Sequence, residues 1–288
     1  MMRAPLDVLT SASMLERELE TAALIAREAG AILLEIYATD FGVAYKGQGH
    51  GDPVTEADRR ANAHIVARLR ASFPEDSIIA EESDNRDAAL DARRIWYVDP
   101  LDGTKEFVAK NGEFSVMIGL AVEGRATLGV VFQPSEDKLY RGVVGQGASL
   151  EHRGATRALQ VSTRTVGPDL RLIVSRSHRS KSISELVAAL HIRNESISGS
   201  VGLKVGQIAE QNADLYVHMS DKSSAWDTCG PEAILHAAGG IFRDLGGEPI
   251  VYGRSDLRTR RGILACNATA YDRVLPAVQK IGERAGFV

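Results

Sequence analysis

The chain has 288 residues, 44% hydrophobic and 25% charged, enough to bury a substantial core as one domain or two closely packed halves. A formal net charge of −4 with dispersed Lys and Arg weighs against a nucleic-acid polymer as partner and favours a small anionic ligand. Two cysteines, Cys229 and Cys266, make no disulfide framework, no apolar run reaches the length of a membrane span, and the N-terminus lacks a hydrophobic signal core, so the expectation is a cytoplasmic protein with no membrane partner.

In chain order, residues 1–10 read as loose. Leu15, Leu19, Ala22, Ala23, Ala26, Ala29, Leu33 and Ile36 recur at helical spacing and predict a long first helix. The glycine-rich loop 46–51 leads into Asp52-Pro53-Val54-Thr55-Glu56-Ala57-Asp58, which opens a second helix with Ala61, Ile65, Leu69 and Phe73 on one side. Residues 78–80 form a short apolar strand that ends in Glu81, Glu82 and Ser83. Residues 95–98 predict another, stopped by Pro100, whose ring removes a backbone donor; Gly103 then turns the chain into a short helix opening at Thr104.

Strands follow at 114–122 and 126–132, joined by a tight turn at Glu123-Gly124-Arg125, and at 138–144. Arg153-Gly154-Ala155-Thr156 reads as a linker, dividing the chain into an N-terminal α+β half, 1–152, and a C-terminal α/β half, 153–288. In the second half, strand 170–175, helix 183–190, strand 195–197, helix 203–211 and strand 214–218 alternate in the α/β manner. Trp226-Asp227 then stands directly before a helix, and a last helix spans 271–285.

The turn at 99–104 carries the most chemistry, because Asp99, Asp102 and the Leu101 carbonyl can face one point in space. At an effective dielectric of about 20, two charges about 5 Å apart repel by roughly 3 kcal/mol, so several carboxylates in one pocket call for divalent ions or protonation. Oxygen-only donors select hard ions, Mg²⁺ first and Mn²⁺ second, with Ca²⁺ as an inhibitor. Backbone donors at Gly103, Thr104 and Lys105, in the first turn of the following helix, suit phosphate oxygens.

Each motif also has a plain structural reading: a strand and surface helix for 96–107, a first-turn acid for Asp58, a solvated loop charge for Glu82 and an N-cap for Asp227. Cys229 reads as a small buried helix thiol rather than a nucleophile, and Arg258-Thr259-Arg260-Arg261 as a solvated face.

Asp-Pro-Val-Thr-Glu-Ala-Asp at 52–58, Glu-Glu-Ser at 81–83, Asp-Pro-Leu-Asp-Gly-Thr at 99–104 and Trp-Asp at 226–227, in this order over nearly the whole chain, resemble the lithium-sensitive, magnesium-dependent phosphatases of the inositol monophosphatase superfamily. The details are similar to its CysQ-type 3′(2′),5′-bisphosphate nucleotidases: Lys105-Glu106-Phe107, Asn111-Gly112-Glu113-Phe114, Ser175-Arg176-Ser177-His178 and Gly199-Ser200-Val201-Gly202-Leu203-Lys204. Inositol phosphatases place an acid where this chain has His218, and the longer segment from there to Asp227 carries Lys222, a basic replacement that suits a second phosphate.

The resemblance implies an α/β (α+β mixed) fold layered α-β-α-β-α and two or three Mg²⁺ ions held by Glu81, Asp99, the Leu101 carbonyl, Asp102 and Asp227. It implies that Asp58 and Thr104 form a pair that orients and deprotonates the attacking water, with Glu81 and Glu82 beside it. It also implies a phosphorylated small-molecule substrate bound by Gly103, Thr104, Lys105, His178, Ser200, Lys204, His218 and Asp227. Inositol monophosphate and fructose 1,6-bisphosphate remain alternative substrates, a metal or nucleotide sensor is the alternative outside enzymes, and the chain is a monomer or a homodimer.

Overall fold

The computed structural model describes residues 15–45, 53–83, 92–165, 167–176 and 180–288; residues 1–10, the loop 46–51, Asp52 and His178 lie outside the described residues. The first long helix, α1 (Glu16–Tyr37), buries Ala22, Ala26, Ala29, Leu33 and Ile36, the stripe its spacing predicts. A short hairpin of β1 (Val43–Tyr45) and β2 (Pro53–Thr55) leads into α2 (Glu56–Ser72), which buries Ala61, Ile65 and Leu69. Both helices lie on one face of a seven-stranded sheet in the order of the chain: β3 (Ser77–Ala80), β4 (Arg94–Asp102), β5 (Ser115–Val122), β6 (Arg125–Gln133), β7 (Lys138–Val143), β8 (Gly147–His152) and β9 (Ala155–Leu159). The β3–β4 pair is parallel and the rest antiparallel. Between β4 and β5 runs the short helix α3 (Thr104–Val108).

Two expectations change here. The strand does not stop at Pro100: β4 continues to Asp102, because Asp99 pairs with Met117 and Asp102 with Ser115, so three steps on β4 face two on β5. The extra residue falls between these two pairs, in the stretch that holds Pro100, whose ring has no N–H to give the ladder. Nor is 153–156 a linker. Arg153 and Gly154, with φ of 51° and 79°, are the two central residues of a hairpin turn that pairs His152 with Ala155, so the first sheet runs on to Leu159.

The second sheet has five strands in the order β11 (Asn194–Ser198), β10 (Arg171–Ser175), β12 (Leu215–His218), β14 (Ile263–Asn267), β13 (Gly240–Arg243). Its outer face is covered by α4 (Lys181–Ala189) and α7 (Tyr271–Ala285), through Ile183, Leu186, Val274, Val278 and Ile281. Between the sheets lie α5 (Val201–Ala209) and α6 (Ala225–Ala237), packed on Met117, Val131 and Tyr140 on one side and on Tyr216, Phe242 and Ala265 on the other. The layers therefore run α-β-α-β-α. The alternation of strand side chains makes this possible: Val116, Ile118 and Leu120 face α1 and α2, whereas Met117 faces the inner helices.

The inner helix α6 sits unusually close to the first sheet. Gly119, Gly129 and Gly142 pair directly across β5, β6 and β7, a bare furrow over three strands. A Cβ on Gly129 would strike the Gly230 carbonyl, one on Gly119 would lie 2.8 Å from the Cys229 backbone, and one on Gly142 would lie 3.0 Å from Ala237 Cβ. The helix lies in this furrow, which fixes the height at which Asp227, one turn before Gly230, meets the end of β4.

Candidate active site

A cavity of about 790 Å³ opens where β4, α5, β12 and α6 converge. Its acidic wall is Glu81, Asp99, Asp102 and Asp227, brought from three segments: the end of β3, β4 and the first turn of α6. Glu81 directly follows β3 and is tied to the neighbouring strand by its N–H, which donates to the Val98 carbonyl at 3.0 Å. Asp99, 2% exposed, accepts from Leu101 N at 2.9 Å.

Asp58 and Asp227 use the same local device. Asp58 Oδ2 accepts from Thr55 N and Thr55 Oγ1, both at 2.7 Å, closing the first turn of α2. That leaves Oδ1 facing Thr104, whose hydroxyl lies 3.2 Å from it and 3.2 Å from the Leu101 carbonyl oxygen. Asp58 is thus both the first-turn acid and the partner of Thr104. Asp227 is not an N-cap: Ser224 is, and Asp227 accepts from Ser224 N at 2.7 Å as the third residue of α6.

The acids perturb one another. Burial raises the Asp99 carboxyl well above the usual range, and Glu81, Asp102 and Asp227 raise it further. Asp227 is raised by burial, Asp102 and Glu81. Burial also raises Asp102, but Lys204, Ser200 and the Val201 and Gly202 amides counter it. One oxygen of Asp102 is held at the start of α5: its Oδ2 accepts from Ser200 Oγ at 2.6 Å, Val201 N at 2.5 Å and Gly202 N at 3.2 Å. Among the described residues no three His, Cys, Asp or Glu side chains close into a ready coordination shell. An all-oxygen wall of mutually repelling carboxylates with a backbone carbonyl nevertheless fits a hard divalent cation, which relieves that repulsion.

Basic groups line the same cavity. Lys105, His218 and Lys222 line the cavity, as do Gly103 and Ser200. Lys204 is a buried lysine rather than an exposed helix one: it is 2% exposed, and its ammonium donates to the Gly199 carbonyl at 3.1 Å and the Ser200 carbonyl at 2.5 Å, 5.2 Å from the Tyr216 ring centre. Burial lowers its pKa to about 8, against the pull of Asp102, Glu106, Glu113 and Asp227. Cys229 is fully buried with its thiol pushed up by desolvation, as a packing residue should be.

Sequence reading missed the segment Ser255 to Arg258, which also lines the cavity. Ala225 N donates to the Leu257 carbonyl at 2.7 Å and Arg258 bridges to Ser224, so the loop is stitched to the start of α6. Arg258 is therefore part of a cavity wall as well as an exposed side chain. The basic run at 258–261 was the available signal, and its place beside Ser224 was not readable locally.

A five-layer α-β-α-β-α molecule with a carboxylate-walled cavity between its sheets defines a recognisable class of phosphatase fold. The chain belongs to the inositol monophosphatase family, whose sequence profile matches residues 14–283. It is 35% identical to the 3′(2′),5′-bisphosphate nucleotidase CysQ of Salmonella typhimurium over 81% of this chain and 93% of that one. It is 32% identical to 3′(2′),5′-bisphosphate nucleotidase 1 of Homo sapiens over 84% of this chain and 88% of that one. The crystal structure of CysQ from Bacteroides thetaiotaomicron superposes with a TM-score of 0.74 at 28% identity, over 89% of this chain and 98% of that chain.

Proposed function

We propose that this protein is a magnesium-dependent phosphate-monoester hydrolase that removes the 3′-phosphate of adenosine 3′,5′-bisphosphate, giving AMP and phosphate. The reading is carried by one cavity lined both by the acids Glu81, Asp99, Asp102 and Asp227 and by His218 and Lys222. A basic group where inositol phosphatases use an acid suits a second phosphate, and the named relatives are bisphosphate nucleotidases.

Glu81, Asp99, the Leu101 carbonyl, Asp102 and Asp227 are the donors that would hold two or three Mg²⁺. Bound there, the ions supply Lewis-acid charge to the phosphoryl oxygens and favour ionisation of a water, the electrostatic help that slow monoester hydrolysis most needs. The remaining work belongs to side chains. Thr104, hydrogen-bonded to Asp58, orients the attacking water and passes its proton to the carboxylate, while Thr55 holds Asp58 in place through two further bonds. The backbone groups of Gly103, Thr104 and Lys105 cradle the departing phosphate, and Ser200, Lys204, His218 and His178 hold the remainder of the substrate.

The test is phosphate release with Mg²⁺ across a panel. Adenosine 3′,5′-bisphosphate should have a kcat/KM about ten- to a hundredfold above any inositol monophosphate, the worth of one charge-assisted contact kept in the transition state. Preference for inositol 1-phosphate would replace the nucleotidase reading with the monophosphatase one, and no turnover of any ester would leave a sensor. A separate expectation follows from the family: millimolar Li⁺ should inhibit uncompetitively with substrate. Full activity in high Li⁺ with Mg²⁺ present would place the protein outside the sensitive members. Gel filtration with light scattering decides between monomer and homodimer.

A further inference from the structure

Glu113, in the connection from α3 to β5, has no role in the reaction outlined above, yet three segments of the cavity wall meet on it. Its backbone carbonyl is wedged between two glycines: a Cβ on Gly103 would lie 2.9 Å from that oxygen and a Cβ on Gly199 would lie 2.5 Å from it. Its carboxylate accepts from Gly199 N at 2.7 Å and takes a two-pronged contact from Arg176, Nε at 2.8 Å and Nη2 at 2.5 Å. Asn111 Oδ1 accepts from Glu113 N at 3.0 Å and presents the residue in this position.

Each segment leads to the site. Gly103, with φ of 98°, connects Asp102 to Thr104. Gly199 precedes Ser200, whose φ of 49° is rarely adopted by an L residue and persists only where its surroundings over-determine it. That Ser200 hydroxyl holds Asp102. Arg176 directly follows Ser175, the end of β10 and part of the cavity lining. Three motifs separated in sequence, around 113, 176 and 199, are thus one clasp.

We propose that Glu113 is a positioning residue that sets the gap between the Gly103 and Gly199 sides of the cavity and, through Arg176, fastens the end of β10 to them. It holds the groups that bind the part of the substrate remote from the reacting phosphate in register with the acids. This rests on the bisphosphate reading above. The Arg176–Glu113 pair is half-exposed, with side chains 44% and 24% accessible, so screening keeps its contribution to global stability small and its effect belongs in substrate binding.

The experiment measures kcat and KM of the Mg²⁺-loaded enzyme for adenosine 3′,5′-bisphosphate and for phenyl phosphate, with thermal melts, in wild type, Glu113→Ala, Glu113→Gln and Arg176→Ala. Glu113→Ala should raise KM for the bisphosphate about tenfold or more while kcat/KM for phenyl phosphate stays within about threefold, because Asp102 keeps its bonds to Val201 N and Gly202 N, Thr104 keeps its bond to Asp58, and the small ester does not span the clasp. Glu113→Gln should recover most of the loss, since its amide oxygen still accepts from Gly199 N. Arg176→Ala, at an exposed side chain, should show the same split to a smaller extent with an unchanged melt, and keeps the test sound if Glu113→Ala folds poorly. An equal fall on both substrates, an unchanged KM, or a glutamine variant no better than alanine overturns the inference. Wild-type failure to cleave the bisphosphate is a different failure, of the substrate reading; the same comparison then uses the phosphate ester that wild type prefers.

Discussion

Replacing Asp99 by Asn should lower Mg²⁺-dependent turnover by about a hundredfold or more and leave the metal-free protein at least as stable as wild type. The two halves of the expectation have one cause. Asp99 is 2% exposed and faces Glu81, Asp102 and Asp227, so its charge is useful only against a cation. A carboxyl with a raised folded pKa contributes stability that is fully present below its unfolded value and is lost as pH rises through the folded one. As pH rises above the unfolded value the metal-free wild type loses that stability progressively, whereas a neutral Asn loses none. Asn also keeps an oxygen for Leu101 N and a donor for Asp227, with which Asp99 shares a side-chain hydrogen bond. Melts with and without Mg²⁺ separate the effects: the ion should raise the wild-type melting temperature and leave the variant's nearly unchanged. Turnover within tenfold of wild type, or an equal Mg²⁺ shift in both, would remove Asp99 from the proposed ligand set.

The second large effect is on folding, and its origin lies away from the charged groups. Gly129→Ala should destabilise the protein by about 3 kcal/mol or more, because the new methyl meets the Gly230 carbonyl of α6, and backbone cannot step aside as a flexible side chain can. Any relief must lift α6 off the furrow of Gly119, Gly129 and Gly142, and Asp227 moves with it. Residual folded enzyme should then bind Mg²⁺ more weakly, a loss that substitution elsewhere in the sheet would not produce. Gly42→Ala is the control: nothing lies within 4 Å of its added carbon, and its stability should stay within about 0.5 kcal/mol of wild type. Urea unfolding of both variants reads the difference, and a Gly129→Ala midpoint equal to wild type would show that the helix is not seated as described.

Local chemistry determined a good deal by itself. Helical spacing marked the buried stripes of α1 and α2, and Thr55 with Asp58 closes its capping box within one turn, a contact between neighbours in sequence. The order of the four acidic motifs pointed to one family, and Asp58, Glu81, Asp99, Asp102 and Asp227 all lie where strands end or helices begin, positions that turn residues announce. Such features depend on a few consecutive residues, whose backbone preferences act whatever the rest of the chain does.

Other features depend on residues far apart, and only the tertiary structure decided them. The strand through Pro100 continues because β5 accepts an irregular register, and the expected linker at 153–156 is a hairpin because both its central residues tolerate positive φ in a sheet that extends past them. One oxygen of Asp102 is held at the start of α5, by Ser200 98 residues away, since aligned amides there meet its charge. Arg258 joins the cavity because its loop is stitched to Ser224, and Lys204 is buried because α5 is the middle layer. The glycines at 119, 129, 142 and 230 show no pattern along the chain. They become one surface only when three strands pair in register and a helix descends on them, because steric exclusion acts between whatever atoms the fold brings together, however distant in sequence.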